Sequence, residues 1–82
     1  IDDLSKKIIK DFTVEYEKLE SLSRDVLENV IKSLIKKHKT NFKGVGQPLR
    51  IALIGKRYGP GLYDIIFSLD KTSVIERLKK VY

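Results

Sequence analysis

The chain has 82 residues, enough for a single small domain with a modest core. Lys and Arg total 17 against 11 acidic residues, a formal charge of +6, which suits a polyanionic partner, nucleic acid first and an acidic membrane surface second. The absence of cysteine excludes disulfides, zinc-thiolate sites and thiol catalysis, no apolar run approaches the roughly 18 residues needed to span a bilayer, and the opening IDDLSKKIIK lacks the layout of a signal peptide. With no Met and Ile1 as its first residue, the chain reads as a piece of a longer protein.

Ile1, Leu4, Ile8 and Phe12 recur at helical spacing, with Ile9 widening the stripe, and predict a helix over 2–12. Residues 13–22 (TVEYEKLESL) are ambiguous, because Val14 and Tyr16 alternate with acids like a strand while Leu19 and Leu22 fit a helical turn. An irregular connection is expected there. Val26, Val30 and Leu34 form one i, i+4 column and Leu27, Ile31 and Ile35 a second beside it, a broad apolar face at the 3.6 period. Ser23 as N-cap, Asp25 in the first turn and the Lys36–Lys39 cations at the far end frame a helix over about 24–39.

Thr40 to Gln47 then reads as a loop around Gly44 and Gly46, with Pro48 at the first position of a short helix. Leu49, Ala52 and Leu53 give that helix its buried side, and Gly55 ends it in a left-handed cap. Pro60 repeats the device and starts a helix with Leu62, Ile65, Ile66 and Leu69 inward. Asp70 caps a last helix carrying Val74, Ile75, Leu78 and Val81. The expected fold is all-α, a small bundle of four to five helices in one domain over 1–82. Its parts are a leading helix with an irregular connection over 1–22 and a compact helical bundle over 23–82.

Catalytic constellations are missing. His38, the only histidine, sits within KKHK at a helix end, where three lysines and expected exposure oppose a tuned base. One histidine and scattered carboxylates make no metal site, and GKRYGPG lacks the order of a P-loop. Binding remains, and two basic groups stand out. KKHKTNFK (36–43) offers Lys36, Lys39 and Lys43 as phosphate contacts, or is a solvated helix end. The corner with Arg50, Lys56 and Arg57, the last two further candidate phosphate contacts, interleaves cations, glycines and Tyr58 and Tyr63. That mixture suits an unstacked RNA base, and equally suits tyrosines that pack while glycines turn the chain.

The order of residues says more than their types. Pro48-Leu49-Arg50-Ile51-Ala52-Leu53-Ile54-Gly55, then Gly59-Pro60-Gly61-Leu62-Tyr63, then Val74-Ile75-Glu76-Arg77-Leu78, resembles the carboxyl-terminal signature of bacterial glutamyl-tRNA synthetases. The likeness is good from about residue 24 to 82 and weaker upstream, where FTVEYEK is similar to an aromatic-acidic stretch of the same domain. It implies an α-helical anticodon-binding domain at the distal end of a class I aminoacyl-tRNA synthetase. The HIGH and KMSKS signatures of that class are absent, so the ATP-dependent joining of glutamate to tRNA is expected upstream of this chain, which itself needs no cofactor.

By position, the resemblance implies that Arg50 contacts the first anticodon base, Gly59 and Pro60 accommodate the second, and Leu62 and Tyr63 line the base pockets. The chain departs from the pattern at Ile54, where Thr is frequent, at Gly59, which in some relatives carries a side chain, and at Asp70, where Gly is common. The expected role is recognition of a glutamate tRNA through its anticodon loop by a monomeric, cytoplasmic protein with no membrane or DNA partner. The alternative is a protein-docking patch of Tyr58, Leu62 and Tyr63. A helix-turn-helix on duplex DNA ranks last, since residues 60–69 are mostly apolar and lack the Arg, Asn or Gln of a recognition helix.

Overall fold

The computed structural model describes residues 2–82; Ile1, part of the first apolar stripe, lies outside the described residues. Five helices follow in chain order, α1 (Asp3–Lys18), α2 (Arg24–Lys37), α3 (Phe42–Ile54), α4 (Leu62–Ser68) and α5 (Lys71–Lys79), with no strand among the described residues. The all-α expectation holds. Helix α3 packs against each of the other four and α1 against α2, α3 and α5. The core is the apolar face they share, from Ile8, Ile9, Phe12 and Tyr16 through Leu27, Ile31, Val45, Leu49 and Leu53 to Leu62, Ile66, Val74 and Leu78.

Helix α1 does not end at residue 12 but runs on to Lys18. Ile8, Ile9, Phe12, Thr13 and Tyr16 all face inward, a stripe at the 3.6 period that the acids beside Val14 and Tyr16 obscure in the sequence. The rings of Phe12 and Tyr16 stack at 5.6 Å, and the Thr13 hydroxyl donates to the Ile9 carbonyl at 2.7 Å, which satisfies a buried polar group within the helix. Leu4, expected on the inner stripe, is 51% exposed instead. Lys71 of α5 closes the far end of α1 by donating to the carbonyls of Glu17 and Leu19.

Ser23 caps α2 as expected, accepting from the Val26 N–H at 3.2 Å. The helix ends at Lys37 rather than 39, with Lys39 left-handed at φ 51° and bonds from Lys39 N–H to Lys36 O and from Thr40 N–H to Ile35 O. That pair of bonds is a Schellman closure with lysine where glycine is usual. His38 is not the exposed residue expected. Its side chain is 11% exposed, and its Nε2 donates to Asp11 Oδ2 at 2.8 Å, beside Lys37 Nζ at 2.9 Å. Burial pushes the Asp11 carboxyl up, but hydrogen bonds from Lys37 and His38 prevail and hold it below its ordinary value.

The largest departure is α3. The loop expected over 40–47 is helical from Phe42, because Asn41 caps it by accepting from the Gly44 N–H at 2.8 Å. Pro48 therefore lies inside the helix and is buried, not at its first position. Its missing N–H leaves the Gly44 carbonyl without an intrahelical donor. Gly55 ends α3 in the left-handed conformation as expected (φ 75°), and Arg77 Nη1 of α5 donates to the Leu53 carbonyl at 2.6 Å. Pro60 does not open α4; Gly61 is its N-cap and Leu62 its first residue. Asp70 caps α5 by accepting from the Ser73 N–H at 2.7 Å.

Asn41→Ala removes the acceptor that starts α3 and should cost ~0.5–2 kcal/mol. In a domain of this size each kcal/mol lowers Tm by about 4–8 °C. A thermal melt of the variant that matched wild type would move the start of α3 back toward Pro48.

Candidate nucleic-acid interface

Helix α3 sorts the candidate residues onto two neighbouring faces. Phe42, Gly46 and Arg50 are spaced i, i+4, i+8 and share one face. A Cβ on Gly46 would meet Arg50 Nη1 at 3.3 Å and Phe42 Cε1 at 3.4 Å, so guanidinium and ring lie side by side over a position with no side chain. Arg50 Nε donates, at a long 3.4 Å, to the carbonyl of Pro60, which ties the expected base-reading arginine to the expected second-base corner. Arg50 makes no other hydrogen bond among the described residues, leaving its terminal nitrogens as donors.

Tyr63 of α4 extends this face. Its ring lies 6.2 Å from that of Phe42 at a tilt of 44°, and the Arg24 guanidinium covers it at 4.7 Å from the centroid. Arg24 also pairs with Glu28 at 3.3 Å. Burial raises the Tyr63 phenol above its ordinary pKa, the Glu28 charge adds to this and Arg24 opposes it, so the ring is neutral at physiological pH. Local sequence signals single out neither Arg24 nor Phe42. Nothing short of the fold relates Arg24 to Tyr63, whereas the 42–46–50 column becomes legible once Asn41 is recognised as a cap.

The second face of α3 lines a cleft of about 290 Å³ against the start of α1. Lys43, Gly44, Gln47, Pro48 and Ile51 face Leu4, Ser5 and Ile8 there, and Arg57 reaches it from the corner. Of the five expected phosphate contacts, the structure brings Lys43 and Arg57 together on this cleft. Lys36, Lys39 and Lys56 are exposed and lie outside it. Lys37 is tied to Asp11 and is not available in the same way.

Leu62 is 1% exposed and belongs to the core, so its side chain neither lines a surface pocket nor joins Tyr58 and Tyr63 in an apolar docking patch. Tyr58 stands apart at 71% exposure. Two of the three departures from the resemblance are neighbours, with Ile54 Cδ1 at 3.6 Å from where a Gly59 side chain would begin. Ile54, Pro60, Asp64, Ile65, Ser68 and Leu69 line an apolar groove of about 220 Å³ on this side of the corner. Gly59 itself has φ 144°, a backbone state that residues with a Cβ rarely adopt.

The described residues contain no cluster of His, Cys, Asp and Glu able to hold a metal, and no helix long and apolar enough to cross a membrane. The arrangement offers directed donors, an aromatic surface and scattered cations, which is chemistry for binding.

Comparison with known proteins agrees. The family model described as "Anticodon binding domain" matches residues 1–82, and the chain belongs to that family. It is 55% identical over 78 residues to the glutamate–tRNA ligase of Pelagibacter ubique (strain HTCC1062), covering 95% of this chain and 17% of that protein. Over 73 residues it is 36% identical to glutamate–tRNA ligase 2 of Helicobacter acinonychis (strain Sheeba), covering 89% of this chain and 16% of the relative. Glutamate–tRNA ligase 1 of Syntrophus aciditrophicus (strain SB) is 41% identical over 58 residues, 71% of this chain and 12% of the relative. The chain thus spans about a sixth or less of the length of these curated relatives. No solved structure matches it.

Gly59→Ala forces a Cβ into a backbone state that costs ~1–3 kcal/mol. A lower Tm with amide shift changes centred on residues 55–62 is the expected result. A variant unchanged in both would mean that the corner is not held in this conformation.

Proposed function

We propose that this chain is the anticodon-recognition module of a glutamate–tRNA ligase, in which residues outside the chain attach glutamate to tRNA at the expense of ATP. The observation that carries the proposal is the convergence of Arg50, the Pro60 carbonyl and the Tyr63 ring at one corner in a member of the anticodon binding domain family. The high identity to glutamate–tRNA ligases supports the choice of amino acid.

Recognition divides into attraction and reading. Lys36, Lys39, Lys43, Lys56 and Arg57 draw in phosphates, an interaction that salt weakens. Arg50 reads the edge of the first anticodon base with the planar donor fork that suits base edges. Gly59 and Pro60 accommodate the second base. Ile54 in place of a hydroxyl makes that pocket depend on apolar contact and backbone groups. Tyr63 forms a wall, and Leu62 holds the start of α4 in place from beneath. Unpaired loop bases, splayed from their stack, are what such a surface recognises in RNA. The module acts as a monomer in the cytoplasm, binds no cofactor of its own and has no use for duplex DNA.

Titration of the labelled chain with a glutamate-tRNA anticodon hairpin, followed by amide shifts, tests this reading. Shifts concentrated at residues 50–63 that are lost with an altered anticodon are expected. Equal, diffuse shifts around Lys36, Lys39 and Lys43 with both hairpins would overturn base reading in favour of plain charge attraction.

A further inference from the structure

Phe42 opens α3 and keeps 40% of its surface exposed, although a large apolar ring gains more from burial than from display. Its position is nonetheless fixed. Asn41 caps the turn that carries it, Tyr63 packs against it at 6.2 Å, and it lies beside Arg50 over the gap left by Gly46. The Tyr63 ring already carries the Arg24 guanidinium. Of the two rings, the one left open is Phe42.

We propose that the exposed ring of Phe42, set between Tyr63 and Arg50, is a stacking subsite for an unpaired base of the bound RNA. A base laid on Phe42 would present its edge toward Arg50, whose terminal nitrogens have no hydrogen-bond partner among the described residues. Face and edge would then be held by residues two turns apart on one helix. Gly46 is a positioning residue in this arrangement, since any side chain there would press on both partners. The inference rests on the anticodon reading above but adds a contact that it does not contain.

The test uses the 82-residue chain with Phe42→Ala, Phe42→Leu and Phe42→Trp, and the glutamate-tRNA anticodon hairpin as probe. Binding is followed by anisotropy, and loop-base protons by NMR. One stacked base is worth ~1–3 kcal/mol, so Phe42→Ala should bind roughly 5- to 150-fold more weakly. Phe42→Leu, which keeps apolar bulk and packing but has no π-face, should be weakened too, while Phe42→Trp should bind like wild type. Protons of one loop base should shift upfield with wild type and Phe42→Trp and not with Phe42→Leu. If Phe42→Ala does not fold, the Leu and Trp pair decides. Specific binding by wild type without an upfield shift of any loop base, together with an unaltered binding constant for Phe42→Leu, would overturn the subsite alone. No binding by wild type would overturn the anticodon reading and the subsite with it.

Discussion

Everything at the candidate interface depends on α3 running unbroken through Pro48. A proline inside a helix forfeits a backbone hydrogen bond and crowds the carbonyl one turn earlier, at a cost of ~3 kcal/mol or more. Here the crowded carbonyl belongs to Gly44, and the opposing gain is tertiary. Helix α3 contacts all four other helices and buries Val45, Pro48, Leu49 and Leu53 among them. Were the helix to start at Pro48, Phe42 and Lys43 would hang on a loop, with no fixed relation to Arg50. Because it starts at Phe42, one rigid element carries an aromatic ring, a gap and a guanidinium on one face, and a cation and an apolar wall on the next.

That constraint also explains what the sequence conceals. Where apolar spacing and capping residues agree, as in α2 behind Ser23 and α5 behind Asp70, the elements are legible almost to the residue. Gly55 likewise marks the end of α3. The errors fall where local signals point away from the tertiary solution. Gly44, Gly46 and Pro48 carry the composition of a loop, so a helix through them is visible only in the core it completes. Acids flanking Val14 and Tyr16 mimic strand alternation, although Phe12 and Tyr16 stand one turn apart and stack. The order of residues singles out Arg50, Pro60 and Tyr63 as candidates; nothing local connects Arg24 with Tyr63.

Charge shows the same limit. A surplus of basic residues points to a polyanion, but several cations are spent on the fold itself. Lys71 and Arg77 close the ends of α1 and α3, Lys37 pairs with Asp11 and Lys79 with Glu17. The cations proposed for phosphates sit at the end of α2, along the α1–α3 cleft and at the corner. They do not belong to the column of Phe42, Gly46 and Arg50, a division suited to the proposed site, in which general attraction and base reading are separate tasks.

Intermolecular nuclear Overhauser contacts between an anticodon hairpin and the labelled domain would test this account most directly. It predicts contacts from loop bases to the side chains of Arg50, Pro60 and Tyr63, with phosphate-proximal riboses near Lys43 and Arg57. Contacts confined to the stem and to Lys36 and Lys39, with the corner untouched, would contradict it.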